Sequence, residues 1–199
     1  MLFNSLLFAI FIIIVYSLYL VLPHRSQNRM LLFSSYIFYG AWDWRFITLI
    51  WFSTFLDYFC ALKIFETNSN KTRKQYLLLS IFGNLSILGF FKYFNFFTET
   101  LQELIGIFGF HMNPIFFDII LPMGISFYTF QTMSYTIDIY RKEMKPTRQF
   151  LDFALYVAFF PQLVAGPIER AKSLLPQILK PRIVNLEKFY EGRFLIFWG

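Results

Sequence analysis

The stretch Leu2–Leu22, LFNSLLFAIFIIIVYSLYLVL, sets the environment in which this chain folds. It runs 21 positions without a charge, and about 20 apolar residues span the hydrocarbon core of a bilayer. A cleaved secretory signal would show a basic segment, a shorter apolar run and small residues at the cleavage point. Here no basic residue precedes the run, and it ends on Val21-Leu22-Pro23. It therefore reads as a retained first span. Composition agrees: 57% of the 199 residues are apolar, 23% aromatic and only 15% charged, whereas about a quarter are charged in soluble domains. The predicted class is all-α, a polytopic transmembrane helix bundle forming one domain over residues 1–199.

In a soluble domain the net charge of +6 would point to nucleic acid. Here the basic residues lie between apolar runs, so nucleic acid is excluded as a partner and the charges report topology. Short cytoplasmic loops collect Lys and Arg. Arg25 and Arg29 follow the first span, which places the N-terminus outside the cytoplasm. The run Met30–Trp42 has 13 residues, roughly 20 Å of helix and short for a full crossing. Trp42-Asp43-Trp44-Arg45 then marks a turn at the headgroups, and Phe46–Phe65 crosses again.

Glu66–Lys74 is the most polar linker and reads as cytoplasmic, with Tyr76–Phe91 crossing outward from it. The section Lys92–Asp118 sets one Lys against Glu99, Glu103 and Asp118, which fits the outer side. Within it Glu99, Gln102, Glu103 and Gly106 share one helical face opposite Phe97, Leu101, Leu104, Ile105 and Phe108. That pattern is an amphipathic helix, lying in the interface or packed on its own bundle. Ile119–Tyr140 returns inward, with Pro122 and Gly124 near its start. Gln131, Thr132, Ser134 and Thr136 make its later half polar, so this span should face protein or a cavity.

The last long run, Phe150–Ile168, contains Asp152, Pro161, Gln162, Gly166 and Pro167. Four basic residues precede it (Arg141, Lys142, Lys145, Arg148) and four follow (Arg170, Lys172, Lys180, Arg182). A run with cytoplasmic signals on both flanks reads as a re-entrant hairpin with its break near Pro161 to Pro167; such backbone is tolerated at depth only inside protein or beside a wet cavity. Phe194–Gly199 opens a further apolar run six residues long, so the sequence reads as the N-terminal part of a longer protein, its domain incomplete at the C-terminus.

Few residues could carry chemistry. The two histidines, His24 and His111, read as solvated loop residues, and no metal-ligand cluster, phosphate loop or Ser/His/Asp arrangement is present. Ionisable groups inside spans are costly in lipid. Asp57 needs a partner there, Lys63 can snorkel to the nearby face, and Asp138 and Asp152 lie close enough to span ends to pair with Arg141 and Arg148. Cys60, the single cysteine, reads as a small lipid- or helix-facing residue. Pro161–Arg170 differs in kind, packing helix breakers, an amide and a charge pair into ten residues.

Phe159-Phe160-Pro161-Gln162-Leu163-Val164-Ala165-Gly166-Pro167-Ile168-Glu169-Arg170 resembles the stretch shared by membrane-bound O-acyltransferases of the alginate O-acetyltransferase type. Leu121–Gln131 with Tyr135–Tyr140, the opening span, Phe38-Tyr39-Gly40 with Trp42, and Glu191-Gly192 are also similar to that family. The resemblance implies an inner-membrane enzyme with a central funnel. An acyl group, expected to be acetyl, would pass from a cytoplasmic thioester donor (acetyl-CoA or an acyl carrier, as cosubstrate and not a bound cofactor) to hydroxyls of an extracytoplasmic polysaccharide. The acceptor would be reached directly or through a second acetyltransferase. The family's catalytic His belongs to a later motif, so no catalytic residue is assigned here and the 199 residues alone are expected to be inactive. The substrate-lining residues expected are Gln131, Ser134, Pro161, Gln162, Gly166, Pro167, Glu169 and Arg170. A secondary transporter, whose inverted repeat is not evident, and a non-catalytic membrane assembly subunit are the alternatives.

Overall fold

A computed structural model describes residues 5–107, 121–163, 169–182 and 186–198. Among them the regular structure is entirely helical: α1 (Leu6–Val21), α2 (His24–Asp43), α3 (Ile47–Glu66), α4 (Asn70–Ile107), α5 (Ile125–Tyr140), α6 (Phe150–Ala158), α7 (Phe160–Leu163), α8 (Ala171–Leu179) and α9 (Leu186–Trp198). Two stretches are long and apolar enough to cross a membrane, His24–Glu66 and Asn70–Thr98. With the large apolar side chains that α1, α3 and α4 leave exposed, such as Ile13, Phe55 and Phe82, they make this a membrane protein.

α1 starts where the Ser5 hydroxyl accepts the Phe8 N–H at 3.2 Å. It is anchored by rings, Phe8 against Phe38 at 5.8 Å and Phe11 against both Phe38 and Phe160 at 5.9 and 5.4 Å. The second run is not short. Pro23, with no N–H to satisfy, precedes a helix that already includes His24, Arg25 and Arg29, giving α2 20 residues, about 30 Å. Counting apolar residues alone cuts its charged first turns away. At the far end Asp43 accepts the Arg45 N–H at 2.9 Å and pairs with its guanidinium at 2.6 Å, stabilising a 3-10 turn over Trp44–Phe46. The turn reverses the chain: Tyr36 and Trp51 meet at 6.0 Å, whereas a straight helix would hold them about 22 Å apart.

α3, α4 and α5 pack together. Gly83 lets α4 close on α3, since a Cβ there would come within 2.6 Å of Leu56. α4 runs unbroken for 38 residues, about 57 Å against a hydrocarbon core of about 30 Å. The amphipathic segment is thus the continuation of a spanning helix, and its apolar residues Phe97, Leu101 and Leu104 stay exposed. α5 begins later than expected, at Ile125, because Gly124 takes a left-handed φ of 74°. The helix is buried along most of its length, and the buried set includes Thr129, Gln131, Thr132, Thr136 and Asp138, as a protein-facing span requires.

Asp57 and Asp152 find neutral partners. Asp57, with no exposed surface, accepts hydrogen bonds from the Ser80 hydroxyl and, at 2.8 Å, from the Asn84 amide. Neither Asp138 nor Asp152 forms its predicted ion pair. Asp152 accepts instead from the Asn28 amide at 2.8 Å, whereas Asp138 keeps a buried carboxylate oxygen without a hydrogen-bond partner and only its backbone carbonyl is engaged, by the Glu143 N–H at 2.9 Å. Lys63 reaches Glu66 at the helix end, 3.3 Å away, as snorkelling predicts. Cys60 is wholly buried.

Candidate functional site: a broken helix above a basic face

α6 stops at Ala158 because Phe159 leaves helical geometry, with φ −57° and ψ 106°. The break precedes Pro161 and puts that proline in the first turn of α7, where its missing N–H costs nothing. Phe160, freed from the helix, donates its N–H to the Ser35 hydroxyl of α2 at 3.2 Å. The carbonyl of Leu163 lies against Gly124, where a Cβ would approach it to 2.7 Å. Tyr39 of α2 donates to the Met123 carbonyl at 2.9 Å. Two sequence motifs, Leu121–Gln131 and Phe159–Arg170, therefore meet at one place, and α2 ties each of them.

A second set of bonds holds the far side. The Gln131 amide donates to the Tyr156 carbonyl at 2.8 Å, and the Tyr156 hydroxyl lies 3.3 Å from the Gln131 carbonyl and 3.4 Å from that of Glu169. Ser134 donates to the Gln131 carbonyl at 2.8 Å. Gln131, Ser134 and Glu169 are thus brought together, with Gln131 buried and its amide nitrogen committed to backbone. Pro161 and Arg170 are exposed, and Gln162 and Glu169 half-buried. Gly166 and Pro167 lie outside the described residues, as does His111.

After the break the chain returns to the face from which α6 set out. α8 lies along that face, burying Ala171, Leu175 and Ile178 and exposing Lys172 and Gln177. Lys172 pairs with Glu143 in the α5–α6 loop. The hydrogen bond from Lys172 holds the Glu143 carboxyl below the usual carboxylate range, and its charge with those of Arg141 and Arg170 adds to this. At the other end of α8 His24 contacts the Leu179 carbonyl at 3.2 Å. That histidine is therefore a half-buried residue of the first turn of α2, not a loop residue. Asn28 joins three elements, donating to Asp152 at 2.8 Å and the Ile178 carbonyl at 3.0 Å while accepting from Arg182 at 2.8 Å. These contacts gather the basic segments around residues 24–29, 141–149 and 172–182 on one face.

Sequence reasoning missed Ser35, Asn28 and Tyr156. The first two did carry a signal, polar side chains recurring within an apolar helix, whereas Tyr156 looked like ordinary interior.

No family model and no solved structure matches the chain. A probable alginate O-acetylase of Pseudomonas aeruginosa is 39% identical over 195 residues, covering 96% of this chain and 37% of that protein. One from Pseudomonas putida is 40% identical, covering 96% and 40%. The chain is thus similar to alginate O-acetylases over nearly all of its own length. A peptidoglycan O-acetyltransferase of Helicobacter pylori, 33% identical over 207 residues, covers 89% of this chain and 38% of its own. The resemblance to membrane-bound O-acyltransferases carried by two motifs thus extends along nearly the whole chain. The chain spans about two fifths of the length of these relatives.

Proposed function

We propose that this chain is part of an enzyme that moves an acetyl group from a cytoplasmic thioester to hydroxyls of an extracytoplasmic polysaccharide. The reading rests on its homology to O-acetyltransferases named for alginate and peptidoglycan. In such a transfer the acceptor oxygen attacks the thioester carbonyl, the thiol leaves, and a general base takes the hydroxyl proton. Neither His24, whose Nε2 faces a backbone carbonyl, nor His111 is assigned that role; the base belongs to the rest of the enzyme, and the 199 residues alone are inactive in this reading.

The basic face is the cytoplasmic one by the positive-inside rule. Phe150–Leu163 rises from it for about 21 Å, short of a crossing, so residues 150–170 form a re-entrant hairpin in the inner membrane. Gln131, Ser134, Pro161, Gln162, Gly166, Pro167, Glu169 and Arg170 then line the donor side, and the polysaccharide is reached directly or through a second acetyltransferase. The test is transfer of radiolabelled acetyl groups by membranes holding the full-length enzyme, with alginate and peptidoglycan offered side by side. Label should enter one polymer, and Gln162→Ala or Arg170→Ala should lower the rate at least tenfold with insertion intact. Unchanged transfer in both variants removes the donor-side assignment; no label in any polymer removes the enzymatic reading.

A further inference from the structure

The cleft between the α3–α4 linker and the start of the α5–α6 loop has a volume of about 380 Å³ and is lined by Thr67, Asn68, Asn70, Arg73, Lys142 and Lys145. It shares no residue with the break at Phe159. Arg73 is 9% exposed. One of its terminal nitrogens donates to the Tyr140 carbonyl at 2.6 Å, and its guanidinium carbon sits 5.3 Å from the centre of the Tyr140 ring. Its Nε has no acceptor. The ion pairs among the described residues are Asp43–Arg45, Lys63–Glu66 and Glu143–Lys172, so none neutralises Arg73, Lys142 or Lys145.

A guanidinium taken out of water without an anion is strongly unfavourable, and this one is buried at the wall of a cavity that two lysines also face. Both lysines are exposed, and Lys142 is the one non-glycine with positive φ among the described residues, at 61°. Asn68, Asn70 and Thr67, each with a side chain able to donate a hydrogen bond, line the same cleft. That set offers more donors than one carboxylate can accept, whereas a phosphate presents several oxygens and suits the planar guanidinium fork. The amino end of α4, which begins at Asn70, adds its positive dipole end.

We propose that this cleft binds a phosphate group, with Arg73 beneath it and Lys142 and Lys145 closing over it. The phosphate belongs either to an anionic lipid headgroup or to a soluble phosphate ester. Ile64, Phe65, Ile139 and Met144 complete the lining, and Phe65 is half exposed at the end of a spanning helix, where a glycerol backbone and acyl chain would continue. The proposal does not depend on the acetyl-transfer reading.

Dihexanoyl-phosphatidylglycerol and inorganic phosphate are titrated separately into the full-length protein in uncharged detergent, and the thermal denaturation midpoint is followed. A saturable rise is expected, with affinity at least tenfold weaker in Arg73→Gln and in the double variant Lys142→Gln/Lys145→Gln. A response to the lipid alone assigns the headgroup, and a response to both assigns a soluble phosphate. Absence of a saturable shift with either ligand, or wild-type affinity in the double variant, overturns the proposal. The double variant changes only exposed side chains, so the test stands even if Arg73→Gln does not fold.

Discussion

Gly124 is the residue on which the candidate site turns. Its φ of 74° lets Met123 and Gly124 turn the chain into α5, and its missing side chain admits the Leu163 carbonyl. Gly124→Ala meets both obstacles, a left-handed backbone that costs a side chain about 1–2 kcal/mol and an oxygen 2.7 Å from the new Cβ. Denaturation in detergent should show a loss of at least about 2 kcal/mol. Gly89 is the control, a helical glycine where an added methyl would meet nothing within 4 Å, and alanine there should raise stability by about 0.5–1 kcal/mol. A second residue-scale test concerns Asp57. Replacing it with Ala strands the donors of Ser80 and Asn84, both without exposed surface, for an expected loss of about 2–4 kcal/mol. Asp57→Asn, which keeps an acceptor oxygen, should lose less in the same denaturation assay. The sequence showed that Asp57 needed a partner because a charge in an apolar run is expensive. It did not show that the partners are neutral, because Ser80 and Asn84 lie on another helix and only packing brings them opposite.

At the scale of elements, what the sequence revealed depended on how far hydrophobicity tracks hydrogen bonding. The polar later half of Ile119–Tyr140 correctly announced a helix facing protein. The charged first turns of α2 misled, since Arg25 and Arg29 fit a helix as well as a loop once Pro23 has opened it. The break was expected near Pro161 to Pro167, and among the described residues it falls at Phe159, because a proline is comfortable inside the first turn of the next helix and disturbs only what precedes it. α8 was not foreseen as a separate element, and its hold on the α5–α6 loop yields an electrostatic prediction. Glu143 titrates below the usual carboxylate range because Lys172 bonds its charged form. A depressed folded pKa contributes stability above the unfolded value, about 4.3, and loses it as pH falls through the lower folded value. The pair should hold at neutral pH and part only as pH falls below the ordinary carboxylate range. Spin labels on Lys145→Cys and Ser173→Cys, in a Cys60→Ala background, should report a distance that lengthens over that interval. Glu143→Gln should give the longer distance at every pH.

The whole molecule is ordered by its charge. Contacts between His24 and Leu179, Glu143 and Lys172, and Arg73 and Tyr140 bring segments far apart in sequence to one basic face. The aromatic turn at Trp42–Arg45, its one Asp paired with its one Arg, lies at the other end of α2 and α3, each about 30 Å long. Such a separation is what a bilayer would impose on a chain whose Lys and Arg stay on one side. It also fixes what α6 and α7 can do. Leaving the basic face at Gln149, they advance about 21 Å, and the chain is back at that face by Lys172, beside Glu143. Single cysteines at Asn68, Lys145, Lys180 and Trp44, each in a Cys60→Ala background, test this arrangement in intact cells with a membrane-impermeant maleimide. Trp44→Cys should label from outside. Asn68→Cys, Lys145→Cys and Lys180→Cys should label only after the inner membrane is permeabilised, all three together. Labelling of Lys145→Cys and Lys180→Cys from opposite sides would mean that the segment between them crosses the membrane, and the hairpin would fall. Labelling of all three from outside would keep the hairpin and invert the protein.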